Sequence, residues 1–270
     1  MYKYTVGELC CKKRVIYIIK TQGSVSSLLC IFYYFYTVFL SIHIMDNKLT
    51  VALRESWFHR YLTKDEENLI LLNSNIVRYN RRDVIFKQNT RTSHIMFLLS
   101  GLVKVYKTGR NNKALTYSIL KKGNFISFYS IFGDTIFQSS ASAVDEVEIM
   151  IIDYATFVSI IQQNGNFAMG LIRRMSKDGL FLADRLMSLS HKQLPGRIAE
   201  VILYFSQEIY NDVSFDFPLT RVELAEMAGT TKESFIRTIN EFKHDKIITL
   251  DGRHINIVSM DIIKVLSELG

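Results

Sequence analysis

Several charged side chains that can form hydrogen bonds lie near the start of one predicted helix, KESFIRTINEFKH, residues 232–244. Arg237 can donate two hydrogen bonds to O6 and N7 of a guanine, and Glu233 can accept one from N4 of a cytosine. Lys232, near Arg237 in the same segment, can reach a base or a phosphate. These three residues form the candidate base-reading set, provided that the surrounding elements present them to a nucleic acid rather than to solvent.

The segment before this helix has the pattern of a second, shorter helix. Thr220 and Glu223 have the spacing of a capping box, and Gly229 follows as a turn residue. Thr230 and Glu233 repeat the capping-box spacing and predict the start of the helix that continues to about residue 244. Two short helices joined by a glycine-containing turn are typical of a helix-turn-helix.

A hairpin is predicted directly after these helices, because Asp251-Gly252 separates the apolar runs IITL and HINIV. The combination predicts a winged helix, in which the second helix enters the major groove with its N-terminal end. Further side chains lie where they can hold phosphates and set the register. These phosphate candidates are Arg221, Thr230, Thr231 and Ser234. The residues expected to anchor the helix are Phe235, Ile236, Ile239 and Phe242.

Composition narrows the class of protein without identifying a partner. The 270 residues carry a net charge of +7, yet residues 191–270 hold nine basic and twelve acidic side chains, a net charge of −3. Net charge therefore does not predict DNA binding by this segment, and only the positions of individual basic side chains can. The chain has no serine or cysteine nucleophile motif, no H-E-x-x-H, no P-loop and no paired carboxylates, so we expect no enzyme.

The cysteines lie only in the first part of the chain, at Cys10, Cys11 and Cys30. This excludes a disulfide framework and a cysteine-ligated cluster from the globular part, and it fits a cytoplasmic protein.

The middle of the chain predicts an all-β domain. A capping box at Thr63 and Glu66 opens a short helix, and short apolar runs follow with a spacing of about 8 to 12 residues. Gly101, Gly123 and Gly133 mark turns, and Asn89 tolerates positive φ. The pattern is typical of a β-sandwich or jelly roll. The predicted strands are IVRY, DVIF, HIMFLL, LVKVY, ALTYSIL, FISFYSIF, SASAV and VEIMIID.

From Phe167 the apolar period lengthens to that of a long helix. Ala168, Met175, Leu182 and Leu189 are seven residues apart, and Ile172, Gly179 and Leu186 fall four after the first three. This pattern favours a two-helix coiled coil between two copies of the chain, with a helix packed on its own sheet as the alternative.

The first 44 residues are unlike the rest. No charge occurs between Lys20 and Asp46, and the run LLCIFYYFYTVFLSIHIM at 28–45 is long enough to span a bilayer. Three interpretations stay open: a start site placed too early, with the true start at Met45; a membrane anchor at residues 20–46; or a secretory signal. We favour the first.

Residues 50–270 resemble the CRP/FNR family of bacterial transcription regulators. The resemblance rests on the order of roll, long helix and winged helix, on LPGRIAEVIL, and most specifically on LTRVELAEMAGTTKESFIRTINEFKHDKII. The last stretch is similar to Bacteroidetes-type members. The resemblance implies an eight-stranded roll, a homodimer on two-fold symmetric double-stranded DNA, and contact with RNA polymerase. It also puts Glu233 and Arg237 at base-reading positions and Lys232 at a variable one.

The resemblance breaks in the sensor. Members that bind cyclic nucleotides carry G-E-[LI] and R-[ST]-A, whose Glu and Arg hold the ribose and the phosphate, whereas this chain has FISFYSIF and FQSSASA. A buried phosphate without a cation is poorly stabilised, which argues against cyclic AMP. The iron–sulfur members need four cysteines, and none occurs from Met45 onward.

The effector therefore stays unknown. An apolar pocket, a haem and no ligand at all are the alternatives, and ordinary core aromatics are the simplest interpretation. The pocket candidates are Phe125, Phe128, Tyr129 and Phe132, and the haem-ligand candidates are His94 and Met96.

The sequence thus predicts an α+β protein. We expect an extension at residues 1–44, a jelly-roll sensor at 45–165, a dimerisation helix at 166–190 and a winged helix-turn-helix at 191–270. The expected function is sequence-specific regulation of transcription. The alternative is a membrane-tethered ligand-binding protein in which the roll is the working part.

Overall fold

The computed structural model divides the chain into a unit of residues 1–50 and a unit of residues 51–270. The residues that it describes are 5–11, 14–20, 48–110 and 113–270. In the first unit, β1 (Thr5–Cys11) and β2 (Arg14–Lys20) form an antiparallel pair. The apolar run at 28–45, and with it the predicted anchor or signal, lies outside the described residues. No helix within the described ranges combines the length and apolar character that crossing a bilayer requires.

Short helices precede the roll. Residues 48–55 are helical (α1), a 3₁₀ turn spans His59–Tyr61, and α2 spans Lys64–Leu72. The predicted capping box is confirmed: the Thr63 N–H donates to the Glu66 carboxylate at 2.8 Å, and the Glu66 N–H donates to Thr63 Oγ1 at 3.4 Å.

The roll consists of two antiparallel sheets that pack their apolar faces together. One sheet has the strand order β3-β9-β5 and the other β4-β8-β6-β7. Side chains from both sheets, including Leu98, Val105 and Ile149, fill the space between them. The strands are β3 (Ser74–Tyr79), β4 (Val84–Phe86), β5 (His94–Ser100), β6 (Val103–Thr108), β7 (Ala114–Leu120), β8 (Ser140–Ala143) and β9 (Val147–Asp153).

One predicted strand of the roll is wrong. FISFYSIF contributes only an isolated bridge from Phe125 to Phe97 before it turns into the short helix α3 (Phe128–Phe132). The apolar residues of this segment also fit a helical spacing, and Phe128 and Ile131 are buried on one side of the turn. Among the described residues the roll therefore has seven strands, and the segment predicted as the eighth forms a short helix instead.

The long helix is confirmed, but only part of the predicted apolar seam is exposed. Ile172, Gly179 and Leu186 face outward, whereas the other predicted positions do not. α4 (Tyr154–Gln163) leads into α5 (Gly165–His191). On α5 the predicted residues Ala168, Met175, Leu182 and Leu189 are partly buried against the chain itself. A stripe of exposed residues along α5 has heptad spacing. Its members are Met169, Ile172, Ser176, Gly179, Ala183, Leu186 and Ser190, and the exposed apolar side chains of Leu180 and Met187 flank it.

The last 80 residues form the predicted winged helix around one apolar core. Pro195 lies in the first turn of the first helix, as expected, and Ile198, Val201, Ile202 and Phe205 are fully buried. The sheet order is β10-β12-β11. The elements are α6 (Leu194–Leu203), a π-helix (Tyr204–Tyr210), β10 (Ser214–Asp216), α7 (Arg221–Met227), α8 (Lys232–His244), β11 (Ile248–Asp251), β12 (His254–Ile257) and α9 (Met260–Leu269).

Candidate nucleic-acid interface and effector cavity

The helix α8 begins one residue later than the sequence predicted. Thr231, not Thr230, is the N-cap, and its hydroxyl oxygen accepts from the Ser234 N–H at 3.3 Å. The predicted capping box of Thr230 and Glu233 is therefore wrong. Since α7 and α8 meet in a tight turn with Gly229 at φ +62°, the cap shifts into the β-region residue that follows the turn. The Glu233 carboxylate is not engaged in capping.

Burial separates two faces of α8. Phe235, Ile239 and Phe242 are buried and hold the helix on the domain, and Thr238 lies with them. Lys232, Glu233 and Arg237 are exposed on the opposite face. The structure thus brings the three predicted base-reading residues together on one outward surface, with Glu233 and Arg237 one turn apart.

Two exposed residues of this face escaped the sequence reasoning. Ile236, expected among the anchors, is 36% exposed between Glu233 and Arg237, and Asn240 is exposed one turn further on. The sequence could have predicted the exposure of Ile236. Phe235, Ile239 and Phe242 have the i, i+4, i+7 spacing of one buried helix face, and residue 236 does not belong to that face.

The four phosphate candidates occupy different environments. The Thr231 hydroxyl donates to Ser234 Oγ at 3.2 Å, so these two side chains belong to the cap at the exposed start of α8. Thr230 is partly buried, and its N–H donates to the Ala225 carbonyl at 2.9 Å. All three lie next to the exposed surface of α8 that carries Lys232, Glu233 and Arg237, which we call the reading face.

Arg221 points toward the wing. Its Nη2 donates to the Gly252 carbonyl at 2.5 Å, and its guanidinium lies 5.8 Å from the centre of the Phe217 ring. Burial, and then the nearby Arg253, lower the pKa of Arg221 from its ordinary value. This arginine joins the first helix of the helix-turn-helix to the turn of the hairpin. The predicted hairpin is confirmed, but its two-residue loop is Gly252-Arg253, one residue later than the predicted Asp251-Gly252, because Asp251 pairs with His254; Gly252 has φ +55°.

The helix α7 is tied to the roll by an ion pair. Its capping box is confirmed, with the Thr220 N–H donating to the Glu223 carboxylate at 2.8 Å. The other oxygen of Glu223 accepts from Lys104 Nζ of β6 at 2.5 Å. Burial opposes ionisation of Glu223, but the hydrogen bonds from Lys104 and Thr220 outweigh it, and the pKa of Glu223 lies below its ordinary value. One carboxylate thus serves a helix cap and a contact between sensor and helix-turn-helix.

A second cluster joins the long helix to the winged helix. Arg185 Nη2 donates to the Met227 carbonyl at 2.5 Å, and Arg185 Nη1 lies 3.2 Å from the Glu200 carboxylate. Glu200 also accepts from Ser188 and, at 3.2 Å, from Lys192. Because Arg185 is almost fully buried, this cluster fixes the end of α5 against the C-terminal domain.

The roll contains a cavity of about 430 Å³ between α3 and the start of β8. This volume suits a small ligand. The side chains that line it carry hydroxyl and amide groups and one carboxylate, and none of them is basic, but the wall surface that they expose is mostly apolar. The lining residues are Tyr117, Ser127, Tyr129, Ser130, Gly133, Asp134, Gln138 and Ser139.

Tyr129 connects this cavity to the long helix. Its hydroxyl donates to the Met175 carbonyl of α5 at 3.3 Å. Burial, and then the Asp178 carboxylate, raise the pKa of Tyr129 to about 12, so the hydroxyl stays protonated and remains a donor at neutral pH. A ligand that displaces Tyr129 would therefore act directly on α5.

The other three pocket candidates do not line this cavity. Phe125 and Phe128 have ring centres 4.7 Å apart, and both pack on Phe157, which contacts Phe167 at the start of α5. Phe132 packs on Phe128 at 4.8 Å and is partly exposed. Phe125 and Phe128 therefore pack within the aromatic core, as the simplest interpretation expects, whereas Phe132 lies at its exposed edge.

The two haem-ligand candidates lie in different surroundings. His94 is exposed at the start of β5, where its Nδ1 lies 2.8 Å from Ser93 Oγ. Met96 packs against the apolar core between the sheets. No group of three or more potential metal-ligating His, Cys, Asp or Glu side chains occurs in the part of the chain that the structure describes.

Comparison with known proteins agrees with this architecture. Residues 76–164 match the cyclic nucleotide-binding domain, and residues 196–264 match the Crp-like helix-turn-helix domain. The fold and the two faces of α8 thus define a transcription regulator with an effector-binding roll and a DNA-binding helix-turn-helix. The chain belongs to the CRP/FNR family.

The similar proteins are distant in sequence. The cAMP-activated global transcriptional regulator CRP of Salmonella typhimurium is 22% identical over 189 residues, 68% of this chain and 90% of that protein. The CRP-like cAMP-activated global transcriptional regulator of Mycobacterium tuberculosis is 22% identical over 185 residues, 67% of this chain and 83% of its own. The structure of FixK2 from Bradyrhizobium japonicum superposes with a TM-score of 0.66 at 14% identity, covering 72% of this chain and 96% of FixK2.

Proposed function

We propose that the protein binds a two-fold symmetric DNA site as a homodimer in the cytoplasm and regulates transcription through contact with RNA polymerase. Arg237 and Glu233 read bases in each half-site, with Lys232 contacting a base or a phosphate. Thr230, Thr231 and Ser234 hold phosphates. Arg221 is proposed as a phosphate contact that also orients the wing, since one of its nitrogens already binds the Gly252 carbonyl.

The exposed face of α8 carries this proposal. Within the winged helix, α8 presents Lys232, Glu233 and Arg237 outward. Its buried side chains Phe235, Ile239 and Phe242 hold the helix on the domain. A rigid helix with donors and acceptors at its N-terminal end matches the geometry that major-groove reading requires. This placement also explains how a C-terminal domain with a net charge of −3 can bind DNA.

The outward stripe of α5 supports the homodimer. Ile172, Gly179 and Leu186 alternate at heptad spacing with Met169, Ser176 and Ala183, and a second copy of the same helix would cover them. A dimer of this kind presents two copies of α8 to half-sites whose centres lie about 34 Å apart, one turn of DNA.

The cavity in the roll supports an effector other than cyclic AMP. Two similar regulators are named for activation by cAMP. In this chain the cavity wall has hydroxyl and amide groups and the carboxylate of Asp134, with no basic side chain to hold a phosphate. We infer an effector without a phosphate group.

The experiment is a selection from random duplex DNA with the full chain and its Arg237→Ala variant, at a stated salt concentration. The parent should enrich a palindrome, and the variant should lose preference at one symmetric G·C pair, at a cost of about 1–3 kcal/mol per contact. The matched control is Arg91→Ala, which removes an exposed arginine of the roll and should leave the selected sequence unchanged.

Two results would count against the proposal. Enrichment of the same sequence by Arg237→Ala would remove this residue from the base-reading set. A parent that enriches no sequence, with or without extracts of small metabolites as a source of effector, would remove DNA recognition by α8 altogether.

A further inference from the structure

Ile236 lies in the middle of the reading face of α8. It is 36% exposed, whereas its neighbours Phe235 and Ile239 are 0% and 2% exposed. A shallow surface groove runs along the same face, and Ile236 lines it together with Glu233, Arg237 and Asn240. A single exposed apolar residue is common on proteins. This one is distinguished by lining the same groove as Glu233 and Arg237, the two residues proposed to read bases.

The major groove offers one apolar group to such a side chain. Among the four bases only thymine carries a methyl group there, at C5, and apolar side chains contact it. Isoleucine suits this contact because its β-branched side chain has one strongly preferred rotamer in a helix, so little conformational freedom is lost on binding. Charged and amide neighbours cannot supply the same apolar contact.

We propose that Ile236 is a specificity-determining residue that reads a thymine methyl group in each half-site. The proposal rests on the proposed function, since α8 must enter the major groove for the contact to form. It adds an A·T preference beside the G·C pair assigned to Arg237. Burial of one methyl group corresponds to about a fourfold change in affinity, and two symmetric contacts to about fifteenfold.

The test removes the methyl group from the DNA rather than from the protein. Duplexes with the selected palindrome are synthesised with deoxyuridine in place of one symmetric pair of thymines at a time. Base pairing and all other groove groups are retained. Binding of the full chain should fall about fifteenfold at one thymine position and stay unchanged at the others.

Matched variants assign the effect to a side chain. Ile236→Ala should bind the thymine and deoxyuridine duplexes equally, close to the affinity of the parent for deoxyuridine. Ile262→Ala, which truncates a comparably exposed isoleucine of α9 at 46% exposure, should keep the parent's dependence on the methyl group. Because both sites are exposed, the variants should fold, and thermal unfolding checks this.

The proposal would be overturned by a parent that binds every deoxyuridine duplex as tightly as the thymine duplex. It would also be overturned if Ile236→Ala retained the methyl dependence, since another group would then make the contact. Either result is distinct from failure of the proposed function, in which no palindrome is selected and Arg237→Ala changes nothing.

Discussion

Gly101 and Gly123 turn the chain at two corners of the roll with φ of +79° and +90°. Residues with a Cβ pay roughly 1–2 kcal/mol in this backbone region. The surroundings of the two glycines differ, however. A Cβ on Gly101 would lie 2.4 Å from the Glu146 carbonyl oxygen, whereas a Cβ on Gly123 would meet open space.

We therefore expect Gly101→Ala to lower the free energy of unfolding more than Gly123→Ala does. Backbone strain alone predicts a loss of about 1–2 kcal/mol for Gly123→Ala. Gly101→Ala should lose at least about 1 kcal/mol more, because the backbone at Glu146 must move. Urea denaturation of both variants measures the difference, and equal losses would mean that the turn before β9 yields freely.

The contact between β6 and α7 belongs to the scale of elements. Lys104 and Glu223 are 119 residues apart in sequence, and their side chains are 12% and 27% exposed. We expect Lys104→Met to lower the free energy of unfolding by about 1–3 kcal/mol, because it leaves a half-buried carboxylate without its cation. A double-mutant cycle with Glu223→Gln, which can preserve the capping box, should give a coupling energy above about 0.5 kcal/mol. Additive losses would show that the pair contributes nothing to the link.

The same pair predicts a pH dependence. The pKa of Glu223 is lower in the folded protein than its ordinary value of 4.5. The folded state therefore binds fewer protons than the unfolded state in this range, and the stabilisation is complete above about pH 4.5 and lost as the pH falls through the folded pKa. Nearby Glu226 acts in the opposite direction, since burial raises its pKa. The difference between the parent and Glu223→Gln, measured by denaturation from pH 7 to pH 3, isolates Glu223 and should shrink toward zero at the acid end.

At the scale of the whole molecule, the proposed dimer depends on the outward stripe of α5. Leu186 is 66% exposed on this stripe. Leu186→Glu should convert the dimer to a monomer, because it places like charges opposite each other in an apolar seam. Sedimentation equilibrium measures the change, and affinity for the full palindrome should fall while weak binding to one half-site remains.

Leu72 provides the matched control for this prediction. It is 84% exposed at the end of α2, away from the stripe, so Leu72→Glu makes the same chemical change elsewhere. This variant should remain a dimer. A dimer that survives Leu186→Glu would place the subunit interface on another surface of the molecule.

The sequence was most informative where a structure depends only on residues that are close together in the chain. The capping boxes at Thr63 and Thr220, the hairpin at Gly252 and the buried stripe of α6 all appear as expected. It was less informative where two patterns overlap. FISFYSIF fits both a strand and a helix, and contacts outside the segment favour the helix. Thr230 and Thr231 can both cap α8, and the turn before the helix makes Thr231 the N-cap.

The sequence by itself determined the kinds of element, their order and the residue types on the reading helix, because caps, turns and apolar periods depend on hydrogen bonds and side chains within one or two turns. The tertiary structure decided which way those side chains face. It turned Ile236 outward, left part of the predicted α5 stripe buried, packed Phe125 against Phe128 and joined Lys104 to Glu223. Burial and ion pairing depend on groups outside the local segment, 119 residues away in the case of Lys104 and Glu223, and no local pattern encodes their approach.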